Sequence, residues 1–181
     1  VQTCALPICD IPTVVVDPRR TGTQMGYEDV NPENSVHVPI LNGDISFLNS
    51  IAHVLLKDHP DVIDWDFLKE YVNGWEAYTE GVLNDYSPEQ VQDRMGGPNH
   101  DVSPDVIRRV ASLFADATRK RLARSKGKQS SSGPGAEGGY GGVIIMWGIG
   151  YNQHIHGQHN VISIINLLTL TGNPADRKSV V

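Results

Sequence analysis

The sequence predicts an α/β fold: a Rossmann-like, mainly parallel sheet with helices on both faces. Two short β-branched runs, Thr13 to Val16 and Val143 to Gly148, carry the strand signal, because strands buried on both faces of a parallel sheet read as near-continuous apolar stretches. Each run ends in a polar loop rich in proline or glycine, Asp17-Pro18-Arg19-Arg20-Thr21 and Ile149 to Gly157. Between and after them, apolar residues recur at spacings of three and four, the mark of helices with one buried stripe.

In chain order, the first strand is followed by Gly22 to Asn34, read as a polar loop of turn formers. Val36 to Ile40 reads as a short edge strand, with Pro39 excluding a central position. Asp44 is expected to cap a helix from about Ile45 to Leu56 whose stripe is Phe47, Leu48, Ile51, Val54 and Leu55. Short helices are expected at Trp65 to Val72, Glu76 to Asn84 and Pro88 to Arg94, the last with Ser87 as cap and Pro88 at the first helical position. Ser103 and Pro104 start another, with Val106, Ile107, Val110, Leu113 and Phe114 inward. From Arg119 a basic stretch passes into Ser/Gly-rich sequence, so a flexible surface insertion with solvated charges is expected, centred on 124–139. The closing helix, Asn160 to Leu170, places Val161, Ile164, Ile165 and Leu168 on its stripe.

The chain carries 15 Lys and Arg against 21 Asp and Glu. With no basic face and no interleaving of aromatic and basic residues, nucleic-acid binding is not expected. No apolar run is long enough to span a membrane.

Asp17, at a strand end, can accept hydrogen bonds from a guanine or ribose edge, and Arg19 and Arg20 can clamp a pyrophosphate. The plainer alternative is that Asp17 opens a turn before Pro18 while the arginines form surface pairs. Asn42-Gly43-Asp44 has a structural explanation as a turn and helix cap. In the loop Ile149 to Gly157, Asn152 and Gln153 offer donors and acceptors to a polar ligand, at a strand-to-helix junction where the helix dipole favours an anion. His154, His156 and His159 invite a metal reading, but no carboxylate or thiolate lies beside them in sequence, and no metal ligand is assigned. No catalytic base or nucleophile is nominated.

The segments VVVDPRRTGT, LNGDISFLNSIAHVLL, DWDFLKEYVNGWE, SPDVIRRVASLFADA and MWGIGYNQHIHG with NLLTLTGN stand in an order that resembles the catalytic subunits of the molybdenum/tungsten bis-pterin oxidoreductases. The resemblance runs from Ile11 to Asn173 and implies a fragment of a larger multidomain enzyme. It implies a molybdopterin guanine dinucleotide cofactor with Mo or W, bound by Asp17, Pro18, Arg19, Arg20 and Thr21 around the guanosine, by Asn42, Gly43 and Asp44, and by Ile149, Asn152 and Gln153. The family's second loop commonly reads Pro-Gly-Thr-Asp; here Asn42 stands directly before Gly43, one residue shorter. IGYNQHIHG is most similar to the nitrate reductases, whose loop usually reads MGxNQ, with formate dehydrogenases next. Nitrate is thus the favoured small-molecule substrate, with formate dehydrogenase-like and arsenite oxidase-like subunits as alternatives. A nucleotide-binding module without redox chemistry is the alternative from another class. An electron-transfer protein or subunit is the implied partner, and a 4Fe-4S cluster and the metal-ligating residue are expected outside this piece.

Both ends are expected to be non-native. Val1 to Ile8 matches the translation of GTG CAG ACG TGT GCT CTT CCG ATC, and Asp176 to Val181 that of GAT CGG AAG AGC GTC GTG, the two ends of a common sequencing adapter. Residues 1–8 and 176–181 are therefore set aside and 9–175 taken as the cofactor-binding domain fragment. Cys4 then falls in the adapter and Cys9 at the junction, so no disulfide is inferred. Localisation stays open between cytoplasm and periplasm.

Overall fold

The computed structural model describes residues 11–95, 102–126 and 142–173. Strand β1, Thr13–Val16, pairs in parallel with β2, Ser35–Val38, in a register that sets Val14 against Val36 and Val16 against Val38. Parallel neighbours need a crossover in place of a tight turn. Helix α1, Gly22–Val30, lies within that crossover and packs on β2. This corrects the reading of 22–34 as loop. Gly22 and Gly26 each weaken a helix by about 1 kcal/mol relative to Ala, which hides it in the composition. Local contacts offset that cost: Thr21 Oγ1 accepts from the Gln24 N–H at 3.4 Å, and the Glu28 carboxylate accepts from Gln24 one turn earlier and from Arg20. β2 stops before Pro39, which has no N–H to donate to a ladder.

The core is built around helix α2, Asp44–Asp58. It packs against α4 (Trp75–Asp85), α5 (Pro88–Met95), α6 (Pro104–Lys126) and α8 (Gly157–Leu170). Surrounded in this way, α2 buries more than the expected stripe: Ser50, Ala52, His53 and Leu56 join Phe47, Ile51, Val54 and Leu55, and Leu55 is fully enclosed at 0% exposure. Its buried imidazole is satisfied, His53 Nδ1 donating to the Val82 carbonyl of α4 at 3.1 Å.

Two expected caps form. Gln90 N–H donates to Ser87 Oγ at 3.3 Å while the Gln90 side chain accepts from Ser87 N–H at 3.0 Å, a reciprocal box that fixes the start of α5. Val106 N–H donates to Ser103 Oγ at 3.3 Å ahead of α6. The third does not. Gly43 holds the cap position of α2 and Asp44 is the first helical residue, with no side-chain cap bond; its charge still lies where the helix dipole favours an anion.

The basic stretch also departs from expectation. α6 continues to Lys126, and the remainder of the expected insertion, 127–139, lies outside the described residues. Arg119 grips Asp61 at 2.7 and 2.9 Å and Asp116 at 3.0 Å, tying α6 to the turn after α2. Arg121 donates to the carbonyls of Thr171 at 2.7 Å and Gly172 at 3.1 Å, placing a cation at the C-terminus of α8. These charges brace the core where solvated charges were expected.

Two further corrections concern the last third of the described chain. Residues 143–148 form no strand, so among the described residues the sheet has the two strands β1 and β2. Val143 and Ile145 pack on the core while Ile144 and Met146 are 87% and 80% exposed, an alternation that fits a strand without neighbours. In α8 the buried face runs through Asn160, Ser163, Ile164, Leu167 and Leu170, and Ile165 is turned outward. Apolar residues on both sides of α8 gave the sequence no single stripe to choose. Helix α3, Trp65–Tyr71, packs against α8. The described chain is mixed α/β, mostly helical, around a small parallel sheet.

Candidate functional site

Asp17 follows β1 directly, and its N–H donates to the Val38 carbonyl at the end of β2 at 3.2 Å. Its own carbonyl accepts from His37 Nε2 at 2.8 Å. The backbone of Asp17 is thereby fixed at the carboxyl end of the parallel pair, the edge at which open α/β sheets bind ligands. The Asp17 side chain folds back so that Oδ1 accepts from the Arg19 N–H at 2.8 Å, with Arg19 Nε at 3.8 Å from the same oxygen. Both contacts use Oδ1. The turn that follows ends at Thr21, which caps α1.

The two arginines separate in role. Arg20 is engaged with Glu28 of α1, whereas the side chain of Arg19 is 84% exposed. The turn-and-pair alternative thus describes Asp17 and Arg20 as they stand, and Arg19 is the cation able to reach a ligand.

Asn42 takes a left-handed backbone at φ 65°, which asparagine tolerates better than most residues, and hands the chain to Gly43 and α2. Asp44 is half-buried and points toward the third segment. Burial pushes its carboxyl above the usual value, partly countered by its own backbone N–H and by nearby His154. Burial, followed by the Asp44 charge, likewise raises the Tyr151 hydroxyl. The loops at Asn42 to Asp44 and Tyr151 to His154 are therefore electrostatic neighbours.

That third segment begins with a single helical turn, α7 (Ile149–Asn152), followed by Gln153, whose N–H donates to the Ile149 carbonyl at 2.9 Å. Ile149, Asn152 and Gln153 are exposed. Beneath them Tyr151 Oη donates to the Asn160 carbonyl at 2.7 Å, and Asn160 Nδ2 donates to the Tyr151 carbonyl at 2.8 Å. Gly157 completes the arrangement, because a Cβ there would lie 1.9 Å from the Asn152 carbonyl oxygen. Tyr151 and Asn160 were not singled out from sequence. Asn160 carries a signal nonetheless: it falls three residues before Ser163 and seven before Leu167, on the face of α8 that is buried.

The structure thus brings the second and third segments together and sets Asp17 at the sheet edge from which the second departs. No hydrogen bond or ion pair among the described residues joins Asp17, Pro18, Arg19, Arg20 or Thr21 to Ile149, Asn152 or Gln153. His156 and His159 meet edge to face, 6.0 Å between ring centres, and no group of three or more His, Cys, Asp or Glu among the described residues is arranged to hold a metal ion.

A crossover turn and a helix start thus lie at one sheet edge, with a glycine-containing amide loop beside that helix start. No protein-family model matches the chain. It is 27% identical over 161 residues to formate dehydrogenase H of Escherichia coli and, over the same length, to the F420-dependent formate dehydrogenase 1 subunit alpha of Methanococcus maripaludis. It is also 27% identical over 160 residues to a nitrate reductase of Synechocystis. Each alignment covers 88% of this chain but only 17%, 18% and 17% of the relative, so the chain spans less than a fifth of the proteins it matches. These relatives are molybdopterin oxidoreductases, and the chain is similar to them over most of its described length.

Proposed function

We propose that this chain is the part of a molybdenum oxidoreductase catalytic subunit that holds the nucleotide end of a molybdopterin guanine dinucleotide. The observation that carries the reading is the position of Asp17, its backbone fixed at the carboxyl end of β1 and β2 and both of its local side-chain contacts made through Oδ1. The residues fit the group. A carboxylate acceptor for a guanine or ribose edge, an exposed guanidinium at Arg19 and exposed amides at Asn152 and Gln153 form a donor and acceptor set suited to a purine nucleotide diphosphate. Above Gly148 and Gly150 nothing lies within 4 Å of a built Cβ, which leaves room for a ligand against the backbone.

On this reading Asp17, Pro18, Arg19, Arg20 and Thr21 line the guanosine, with Arg20 held to Glu28 and so shaping the turn. Asn42, Gly43 and Asp44 border the ribose and phosphates, and Ile149, Asn152 and Gln153 contact the pterin side. When bound, the metal–pterin group supplies two-electron redox chemistry; the residues of this chain bind and orient it and tune its charge. Asp44, half-buried beside Tyr151 and His154, contributes negative charge at that edge.

The sheet extends beyond β1 and β2 in the same proposal. Residues 143–148 become a strand of a Rossmann-like sheet once the rest of the longer protein covers the outward Ile144 and Met146. The iron–sulfur cluster, metal ligand and electron-transfer partner belong to that remainder. Substrate choice does too, which explains why formate and nitrate enzymes share this segment at equal identity. Nitrate is favoured by the IGYNQHIHG loop; formate is the second reading, favoured by similarity to formate dehydrogenases from three organisms.

The test is to purify the full-length protein, measure molybdenum, tungsten and acid-released GMP, and assay nitrate reduction and formate oxidation with viologen dyes. Metal and GMP together with turnover of either substrate support the reading. A full-length protein that folds with neither metal nor GMP overturns it.

A further inference from the structure

Beneath the exposed amides of Asn152 and Gln153 lies a device that the cofactor reading does not use. Tyr151 and Asn160, nine residues apart, exchange hydrogen bonds in both directions: Tyr151 Oη to the Asn160 carbonyl at 2.7 Å and Asn160 Nδ2 to the Tyr151 carbonyl at 2.8 Å. Asn160 is only 4% exposed, at a position of α8 that a leucine would fill if packing were all that mattered. An unpaired buried amide is costly, so the exchange is retained only where both partners are satisfied. Asn160 is buried and Tyr151 partly buried, whereas Asn152 and Gln153 are exposed.

The consequence is mechanical. A trans peptide is planar, so anchoring the Tyr151 carbonyl also fixes the Asn152 nitrogen and the Cα from which the Asn152 side chain departs. The return bond from Tyr151 Oη holds the same turn at its side chain. Gly157, with the Asn152 carbonyl 1.9 Å from any Cβ it could carry, lets α8 begin directly under the turn. We propose that Tyr151 and Asn160 are positioning residues, a reciprocal staple that sets Asn152 and Gln153 in the orientation in which they hold the cofactor. The proposal rests on the cofactor reading of this loop and adds to it two residues that do not touch the ligand.

The experiment uses the full-length enzyme, loaded with its metal and nucleotide, and follows loss of molybdenum and GMP from the protein with time. Tyr151→Phe removes one hydrogen bond and keeps the ring, so cofactor loss should quicken about two- to twelve-fold with an unchanged melting temperature of the apoprotein. Asn160→Ala removes the amide as well and should act at least as strongly. Gln153→Ala alone should also quicken loss. In a background carrying both Asn152→Ala and Gln153→Ala the added effect of Tyr151→Phe should shrink to less than about two-fold, because a residue that acts through those two amides has little left to act on. Full additivity, or cofactor loss unchanged in Tyr151→Phe and Asn160→Ala while Gln153→Ala accelerates it, overturns the staple and leaves the cofactor reading intact. No acceleration in Gln153→Ala or Asn152→Ala removes the cofactor reading of the loop and the staple with it.

Discussion

Helix α2 and residues 143–148 are both apolar, yet they end in opposite circumstances. α2 satisfies its backbone internally and is enclosed by α4, α5, α6 and α8 of the same chain. Residues 143–148 bury Val143 and Ile145 on the core and expose Ile144 and Met146, and an extended backbone has no partners of its own to offer. A helix can be completed by side-chain packing alone, whereas a strand also needs neighbouring backbone. The described helices therefore close on one another, while residues 143–148 leave Ile144 and Met146 uncovered.

The contrast can be broken or sharpened. Leu55→Ala should destabilise the fold by about 2–5 kcal/mol, toward the upper end because packed helices cannot collapse onto the cavity. The midpoint of urea unfolding reads this directly. Ile144→Ala in the full-length protein should cost about 2 kcal/mol if the proposed sheet covers it, and amides 143–148 should then exchange slowly. A change within about 0.5 kcal/mol, as at ordinary surface sites, with fast exchange, would mean that the segment stays open.

Legibility in the sequence followed the range of the interactions. The starts of α5 and α6 were readable because Ser87-Pro88 and Ser103-Pro104 act within one turn of themselves. The β1 and β2 strands were readable from their β-branched runs. Helix α1 was missed because two glycines and a polar composition conceal bonds that depend on side-chain geometry, Gln24 and Arg20 to Glu28. The arginines of α6 were read as solvated because Asp61 and the end of α8 lie far away in sequence. At the candidate site, the exposed residues are nominated by type and place, while Tyr151 and Asn160 give no such signal because their hydrogen bonds are to each other, nine residues apart.

A smaller effect concerns Asp44. Burial raises its carboxyl above the ordinary 3.8, so folding favours the protonated acid. Its stabilising contribution is complete below that value and is lost as pH rises through the higher folded value. Asp44→Asn should therefore stabilise the protein at neutral pH, by less than about 1 kcal/mol since the group is half-exposed and screened. The gain should vanish in acid. Thermal melts of parent and variant across that range check the sign, and a variant less stable at neutral pH would contradict it.

The most direct test of the account is the cofactor content of full-length Asp17→Ala. Removing the carboxylate leaves the bound base without its charged acceptor, a loss of roughly 1.5–3 kcal/mol, so GMP and molybdenum should fall together in the purified variant while its melting temperature as apoprotein stays near the parent's. Full retention of both, with parental activity, would make Asp17 a turn residue and contradict the assignment of this chain to the nucleotide end of the cofactor.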